Sequence, residues 1–495
     1  MQSDSRRTLI GATWMVLYKL FDRSLGLIST IVLARLLLPQ DFGIVAMATS
    51  VIALLELLSA FNLDAALIQR HDASEDHFHA AWTLNFLGAC GVAALLVIWA
   101  WPLSVYYREP RLTAVMFALA ASTLIQGLEN VGTVNFRKNL EFKREFRFLA
   151  LKRVLPFFVT VPLAFWLRNY WALVAGVVVG RVGGVTASYV LHPFRPRLSL
   201  IRVMDLMHFS KWMLLHNLIT FLKDRSSSFV IGRLSGLNGV GLFSVATEIA
   251  SLPSTELIAP INRALLPIYA KLAKDPPALA KEFLSAMGTI ALIGVPAVAG
   301  VAITAPNVVI LLLGAKWLEA IPLLQILAFF GITQVLQTNA FAAFIALGKT
   351  RPFVLINSCH VAVLLLALIA LTGPFGVIGA AWAYVIAALL LLPVNFAVIK
   401  TYLNLDALEY VERLWRPIVA STAMYYGVMH FGPEASIEVS TGKAVLALAA
   451  QVSLGAAIYT VAILLLWQVR GRPTGAETAA LNLMRALAVR ARLAL

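Results

Sequence analysis

Long apolar segments recur along almost the whole chain, and they constrain the fold more than any other feature. We count about fourteen of them at about 20 residues each, the length a helix needs to cross a hydrocarbon core about 30 Å thick. The chain is 60% hydrophobic, above the roughly 45–50% of soluble domains, and its mean hydropathy is +0.83. Backbone polar groups in lipid must be satisfied within helices or closed barrels, and these segments are too long and apolar for barrel strands. The sequence therefore predicts an all-α integral membrane protein.

The predicted transmembrane segments run roughly over 9–37, 42–68, 80–103, 112–135, 146–167, 170–191, 208–232, 238–268, 284–304, 319–347, 353–372, 376–399, 416–431 and 444–468. The first segment is too long and too charged for a cleaved signal peptide, so we expect it to be a membrane helix.

The chain contains two copies of one unit. Trp14-Met15, Arg35-Leu36 and Gly43 recur as Trp212-Met213, Arg233-Leu234 and Gly241, all displaced by the same 198 positions (212 − 14 = 198). Repeats in an apolar chain are typical of transporters whose halves surround a central pathway. The sequence predicts two six-helix lobes, at 1–192 and 207–403, joined by an inter-lobe linker at 193–206. An interfacial segment with two extra transmembrane helices follows at 404–470, and a cytoplasmic amphipathic tail at 471–495.

The distribution of Lys and Arg predicts the orientation in the membrane. Positively charged loops stay cytoplasmic, and the basic residues concentrate before the first segment and after the even-numbered ones. Both termini are therefore predicted to be cytoplasmic. The net charge of +15 is spread over short loops beside the membrane, where topology and anionic headgroups explain it, so we expect no nucleic-acid partner.

Charged residues inside the apolar segments indicate a functional pathway, because each costs roughly 2.5–3.5 kcal/mol near mid-helix on insertion scales. The first segment and its repeat equivalent, the seventh, carry similar groups: Lys19, Asp22 and Arg23, then Lys223, Asp224 and Arg225. The second Asp-Arg pair is displaced by 202 positions (224 − 22 = 202), about one helical turn from the repeat offset on the same face. We predict that Arg23 and Arg225 line a polar pathway, with Lys19, Asp22, Asp224 and Arg181 beside them.

Three carboxylates are candidates for ion coupling. Glu56 and Glu256 lie about equally far from the cytoplasmic ends of the second and eighth segments, where they could pair with Arg23 and Arg225. Glu129 lies at a depth similar to that of Arg181, and this pair is better explained as structural. For the other interior charges, a set of ion pairs that only neutralises itself stays open as the alternative.

Prolines interrupt the eighth predicted segment. Pro253, Pro260 and Pro267 follow at seven-residue intervals, and each removes a backbone hydrogen bond. Pro253 and Pro260 are predicted hinge positions, with ordinary membrane-helix proline as the alternative.

No metal or cofactor site is predicted. His71, His77 and His79 share a loop with acidic residues but lack metal-ligand spacing, so we expect a solvated polar loop. A membrane enzyme would need an exposed catalytic group, and the longest predicted outer loop, 432–443, offers only Glu434 and Glu438. We therefore expect no enzymatic activity.

Three segments alternate apolar and charged residues and are predicted to lie at the membrane surface. The linker 193–206 is predicted to be an interfacial helix, and 404–416 is expected to behave similarly. The tail from Ala476 onward is predicted to form a basic amphipathic helix on the inner membrane face, with Arg485 and Arg492 beside its apolar positions.

Four sequence motifs carry a family resemblance. The first repeat contains Ile31-Val-Leu-Ala-Arg-Leu-Leu-Leu-Pro-Gln-Asp-Phe-Gly43 and Ala65-Ala-Leu-Ile-Gln-Arg70, and the second contains Ile231-Gly-Arg-Leu234 and Val240-Gly-Leu-Phe243. These motifs resemble those of Wzx-type polysaccharide and lipopolysaccharide flippases, within the multidrug/oligosaccharidyl-lipid/polysaccharide exporter superfamily. The resemblance extends from about residue 8 to 400. The motifs lie at helix ends, where they are expected to shape turns and lobe closure.

The resemblance implies a V-shaped exporter core in which the first and seventh helices line a central cavity. It implies an undecaprenyl-pyrophosphate-linked oligosaccharide as substrate, turned to the periplasmic leaflet of a bacterial inner membrane by alternating access, with Arg23 and Arg225 binding the pyrophosphate. Further expected partners are a proton or sodium gradient and polysaccharide polymerase or assembly proteins. The alternative function is a cation-coupled small-molecule or multidrug exporter of the same superfamily.

Overall fold

The computed structural model describes residues 2–58, 63–70, 72–206, 211–433, 441–473 and 475–482. Every regular element among them is helical, as the sequence predicts, and each predicted apolar segment coincides with one or more helices. The α-helices in chain order are α1 Gln2–Leu36, α2 Pro39–Leu58, α3 Leu63–Gln69, α4 Glu75–Tyr107, α5 Arg111–Gly127, α6 Val134–Lys138, α7 Phe142–Leu167, α8 Trp171–Leu191, α9 Val203–Leu206, α10 Lys211–Leu234, α11 Gly236–Leu252, α12 Ala259–Leu272, α13 Pro276–Val308, α14 Ala320–Ala346, α15 Thr350–Leu403, α16 Ala407–Phe431 and α17 Thr441–Val469.

The protein is a multi-pass membrane protein. Within the described ranges, eight helices are long and apolar enough to cross a membrane, and a ninth span results if α5 and α6, bent by 62°, count as one. The 54-residue α15 covers two predicted segments, which meet where Gly376 adopts φ 59°.

The contacts divide the chain into two compact units, Met1–Gly241 and Leu242–Leu495. In the second unit, α12 to α16 share a buried apolar cluster. Tyr269 is fully buried there, and its hydroxyl donates a 2.8 Å hydrogen bond to Asn339 Oδ1, so its polar end is satisfied within the core.

The inter-repeat linker differs from the predicted interfacial helix. It has no regular structure over 193–200, and only α9 near its end is helical. Pro193 and Pro196 lack backbone donors and disfavour a helical residue before them. Two linker N–H groups instead bond to side chains of α4: Arg197 donates to His79 Nδ1 and Ser199 to Thr83 Oγ1, both at 3.0 Å.

The histidine segment is also not the solvated loop expected from the sequence. His77 lies in the first turn of α4 and is only 4% exposed. Its Nδ1 is 2.8 Å from Ser74 Oγ at the helix start, and its Nε2 is 3.6 Å from Asp205 Oδ2 in α9. His71 lies outside the described residues. His77 and His79 therefore join the linker to the start of α4.

The expected interfacial segment 404–416 is not separate from the next helix. α16 runs without interruption from Ala407 to Phe431, and Pro417 lies inside it. Asp406 caps its start, because Oδ1 accepts a 3.0 Å hydrogen bond from the N–H of Leu408.

The start of the tail packs against the protein through a buried ion pair. The chain reverses at Gly471 and Arg472, both with positive φ, and is helical over 476–482. Glu477 Oε1 lies 3.2 Å from Arg416 Nε of α16, with side-chain exposures of 7% and 5%. Residues 483–495, including Arg485 and Arg492, lie outside the described ranges, as do Glu434 and Glu438.

Removing one partner of this buried ion pair should destabilise the protein. We expect Glu477→Gln to lower the free energy of unfolding by about 3–5 kcal/mol, because it leaves the Arg416 guanidinium buried and uncompensated. The double variant Arg416→Met/Glu477→Leu should recover most of that loss. Denaturant unfolding of purified protein in detergent measures both effects. The control is Glu412→Gln, which breaks the exposed pair with Arg470 and should leave the free energy of unfolding unchanged. If Glu477→Gln and Glu412→Gln lowered that free energy equally, the buried tail contact would be contradicted.

Candidate functional site

Glycines on α8 allow α7 to pack closely against it. A Cβ at Gly176 would lie 1.9 Å from Thr160 Oγ1, and one at Gly180 would lie 2.9 Å from Pro156 Cγ. Gly183 and Gly184 meet α7 in the same way. Small residues at such spacing let membrane helices approach closely. Lys152 and Arg153 of α7 are thereby held at the level of Arg181 on α8.

A cavity of about 550 Å³ lies beside this helix contact, with walls from α1, α7, α8 and the end of α5. Its charged side chains are Glu129, Lys152, Arg153 and Arg181. Apolar groups complete the wall, among them Leu25, Leu33, Pro156, Phe157, Leu173 and Val177. The cavity is thus amphipathic.

Each cation of this cavity contacts a carboxylate from another helix or its end. Lys152 Nζ lies 2.9 and 2.8 Å from the two carboxylate oxygens of Glu129. Arg153 Nε lies 2.8 Å from Asp22 Oδ1 of α1. Arg181 pairs with a third carboxylate, that of Glu56. The three cations of the cavity are therefore matched by three carboxylates.

Arg181 joins α8 to two further helices. Its Nη1 donates a 2.7 Å hydrogen bond to Thr123 Oγ1 of α5, and its Nη2 lies 3.3 Å from Glu56 Oε1 of α2. Its side chain is only 18% exposed. The Glu56 side chain is 40% exposed, so Arg181 is the partner that would be the more unfavourable without the pair.

A second cavity, of about 420 Å³, adjoins the first. The two share Gln126, Glu129 and Lys152, so the Lys152–Glu129 pair lies where they meet. The wall of the second cavity adds the polar groups of Glu56, Asp64, Asn85, Thr123, Asn130 and Thr133.

The structure brings several of the predicted site residues together, with different partners from those expected. Asp22, Glu56, Glu129 and Arg181 all line or pair with residues of this cavity system. The predicted pairing of Glu129 with Arg181 is wrong, because the pairs formed are Glu129–Lys152 and Arg181–Glu56. Depth counted along a helix does not reveal which way its side chains face.

Sequence reasoning missed Lys152 and Arg153. Both lie near the start of the fifth predicted segment, where they resemble ordinary cytoplasmic flanking charges. The available signal was the spacing of Gly176, Gly180 and Gly184 in the next helix, which marks a face for close packing.

The remaining predicted pathway residues lie on α1 and α10. Arg23 is half-buried and Lys19 exposed on α1, while Asp224 and Arg225 are exposed on α10. Their role as pathway residues stays a prediction.

The proline-containing helix is interrupted, as expected. A π-helical turn over Pro253–Ile258 separates α11 from α12 and contains Glu256, and Pro260 lies in the first turn of α12. Such turns often mark functional positions in helices. The use of Pro253 and Pro260 as a hinge stays a prediction.

The repeated glycines contact each other within the first unit. A Cβ at Gly43 would lie 1.9 Å from the carbonyl oxygen of Leu237, and one at Gly241 would lie 1.8 Å from that of Pro39. These positions are repeat equivalents (39 + 198 = 237; 43 + 198 = 241). The two copies of the motif therefore form a reciprocal contact that requires glycine on both sides.

Asp41 of the same motif ties two helix starts together. It is 6% exposed, and its carboxylate accepts hydrogen bonds from the N–H of Leu38 at 2.9 Å and of Tyr170 at 3.0 Å. The starts of α2 and α8 are thereby joined, as helix N-termini favour acidic side chains.

Comparisons with known sequences point to one family. The family model described as "Polysaccharide biosynthesis protein" matches residues 32–322. The succinoglycan biosynthesis transport protein ExoT of Rhizobium meliloti (strain 1021) is 26% identical over 474 residues, covering 91% of this chain and 92% of that protein. The lipopolysaccharide biosynthesis protein WzxC of Escherichia coli (strain K12) is 24% identical over 424 residues, covering 84% and 85%.

Comparisons with solved structures show a shared fold. The lipid II flippase MurJ in an inward closed conformation superposes with a TM-score of 0.69 at 12% identity, covering 92% of this chain and 98% of that one. An inward-facing multidrug resistance MATE family transporter of the MOP superfamily gives a TM-score of 0.55 at 18% identity, covering 78% and 96%.

The close packing of α7 against α8 can be tested at Gly176. We expect Gly176→Ala to lower the unfolding temperature, because its Cβ would overlap Thr160 Oγ1 and overpacking costs about 1–3 kcal/mol. Thr160→Ala in the same background should restore part of the loss. The control is Gly91→Ala on α4, where a Cβ meets no atom within 4 Å. Thermal unfolding in detergent measures both variants. Equal unfolding temperatures for Gly176→Ala and Gly91→Ala would rule out the tight contact.

Proposed function

The chain belongs to the polysaccharide biosynthesis protein family, and from this premise we propose that it is a flippase for lipid-linked oligosaccharides. Its substrate is an undecaprenyl-pyrophosphate-linked repeat unit, which it moves from the cytoplasmic to the periplasmic leaflet of a bacterial inner membrane for exopolysaccharide, capsule or O-antigen synthesis. The observation that carries this proposal is the family match over 32–322. Relatives described as a transport protein and as a lipopolysaccharide biosynthesis protein support a transporter and not an enzyme.

Arg23 and Arg225 bind the pyrophosphate in this proposal. Guanidinium groups form charge-assisted, bidentate hydrogen bonds to phosphate oxygens. The neighbouring Asp22 carries a negative charge, which by itself would repel the pyrophosphate. The ion pair of Asp22 with Arg153 supports the assignment, because a cation from α7 already offsets that charge.

The paired cations of the first unit give a route for ion coupling. A pyrophosphate that approaches Lys152, Arg153 or Arg181 competes with Glu129, Asp22 or Glu56 for the same cation. A carboxylate displaced into an apolar surrounding favours its protonated form. Substrate entry and proton uptake are thereby linked through Glu56 or Glu129, with Glu256 as the third candidate, and a sodium gradient is the alternative.

Transport follows alternating access in this scheme. About fourteen transmembrane helices form two six-helix lobes in a V, with two extra helices and both termini in the cytoplasm. The orientation puts Gly43 and Gly241 on the outer side, where their reciprocal contact must separate for substrate release. The π-helical turn at Pro253, with Pro260 after it, absorbs the bending.

The second candidate function is a cation-coupled small-molecule exporter. The fold shared with a multidrug resistance transporter favours it, and the 550 Å³ cavity lies within the range of about 300–1,000 Å³ common for small ligands. The relatives favour the glycan substrate.

Removing the arginines that bind the pyrophosphate should leave the substrate in the cytoplasmic leaflet. In a strain with the gene deleted and no second flippase, we expect polyprenyl-linked repeat units to accumulate in the cytoplasmic leaflet. Parent protein should clear them, whereas Arg23→Gln and Arg225→Gln should each reduce clearance at least about tenfold, the effect of losing roughly 1.4 kcal/mol of phosphate binding. Mass spectrometry and an impermeant glycan label measure abundance and sidedness.

The matched control is Arg111→Gln, which removes a cation that pairs with Glu109 beside the start of α5 and should leave clearance normal. Normal clearance by both Arg23→Gln and Arg225→Gln at parental protein levels would reject the binding assignment. An unchanged lipid-linked pool in the deletion strain would favour the small-molecule exporter.

The reciprocal glycine contact should tolerate no side chain. We expect Gly43→Ala and Gly241→Ala to impair clearance to a similar degree, because each Cβ would meet a backbone carbonyl of the other repeat. Gly300→Ala on α13, with open space around its Cβ, should behave as parent. Unfolding temperatures of the same variants distinguish a transport defect from misfolding. Full clearance by Gly43→Ala or Gly241→Ala would show that transport does not require the glycine contact to close.

A further inference from the structure

The linker strap, defined as residues 193–206, exposes apolar side chains next to arginines. Leu198, Leu200, Ile201 and Met204 are 69%, 64%, 63% and 76% exposed. Arg195, Arg197 and Arg202 are exposed on the same segment. A soluble loop has no reason to present four such residues within seven positions, so this surface calls for a partner.

The opposite side of the strap is fixed to the first unit. Phe194 packs against the rings of Phe78 and His79, with centroid distances of 5.8 and 5.0 Å. Val203 packs against a buried cluster that includes Leu63 and Leu67. The apolar residues of the strap thus divide into an inward set held by the protein and an outward set.

Hydrogen bonds hold the backbone of the strap in place. Asn130 Nδ2 donates to the carbonyl oxygen of Phe194 at 2.7 Å, and Arg197 and Ser199 donate to α4 as described above. The N–H of Phe194 donates a 3.2 Å hydrogen bond to Nδ1 of His192, and burial lowers the pKa of that imidazole. These contacts hold the backbone of the strap against the first unit, so that only its outward side chains are available to reach an apolar environment.

The position of the strap relates it to the membrane surface. It follows directly from α8, which ends at Leu191, and crosses the first turns of α4 between His77 and Thr83. The distribution of Lys and Arg predicts that both helix ends are cytoplasmic. The strap therefore lies at the level where acyl chains give way to headgroups.

We propose that the strap binds anionic phospholipids of the cytoplasmic leaflet. Leu198, Leu200, Ile201 and Met204 enter the acyl region, while the guanidinium groups of Arg195, Arg197 and Arg202 contact headgroup phosphates. Alternation of arginine with apolar residues is the composition that interfacial segments use to bind anionic membranes. A protein partner is disfavoured by the direct continuity of the strap with a membrane helix. The proposal does not depend on the transported substrate.

The test places a probe on the outward face of the strap in the full-length protein. Leu200→Cys, in a Cys90→Ser/Cys359→Ser background, is labelled with a fluorophore and reconstituted into nanodiscs. The discs contain brominated phosphatidylglycerol with plain phosphatidylcholine, or brominated phosphatidylcholine with plain phosphatidylglycerol, at equal total composition. Bromine quenches only a fluorophore that it contacts, so the two discs report which lipid lies at the strap.

We expect stronger quenching by brominated phosphatidylglycerol, and we expect the preference to disappear in Arg195→Gln/Arg197→Gln/Arg202→Gln. The matched control is Lys271→Gln/Lys274→Gln/Lys281→Gln, which removes the same charge from exposed positions of α12, α13 and the connection between them and should keep the preference. Raising the ionic strength should weaken the preference of the parent protein for brominated phosphatidylglycerol. This measurement needs no substitution, so it tests the proposal even if the arginine variant fails to fold. Equal quenching by both lipids would overturn the anionic selectivity, and absence of quenching by either would show that the strap faces water or a protein.

Discussion

Ion pairs that join one helix to another organise the charged part of the first unit. Lys152, Arg153 and Arg181 each meet a carboxylate from a different helix or helix end. Because each pair crosses a helix boundary, α1, α2, α5, α7 and α8 are held together by the same contacts that make the cavity polar. The side chains of these pairs are between 18% and 44% exposed, so breaking one pair leaves an unbalanced charge at the wall of a partly hydrated cavity.

Glycine makes these pairings possible, because short polar side chains and ion pairs reach across only when the helices themselves are close. On α8, Gly176, Gly180 and Gly184 admit α7. At Gly43 and Gly241 the same device brings the two copies of one motif into reciprocal contact. The contact is reciprocal because Pro39 and Gly43 are the repeat equivalents of Leu237 and Gly241.

Segments that look peripheral in the sequence are integral to the fold. The linker strap is bonded to α4, and the start of the tail is bonded to α16 through Arg416 and Glu477. In both cases an amphipathic pattern predicted a helix on a membrane surface. The pattern identified the apolar and charged faces. Prolines decided the conformation of the strap, and a buried partner decided where the start of the tail packs.

The sequence by itself determined the helical membrane fold, the repeat displacement of 198 positions, the interrupted proline helix and most of the charges that belong to the cavity. The fold and the charges follow from segment length, hydropathy and the high cost of mid-membrane charge, the displacement from recurring residues and the interruption from proline, and all of these can be read along the chain. Only the tertiary structure decided that Glu129 pairs with Lys152 and Asp22 with Arg153, and that Gly43 faces Gly241. Partner choice depends on helix rotation and crossing, which are set by side-chain packing between segments and have no counterpart in the hydropathy of any one of them.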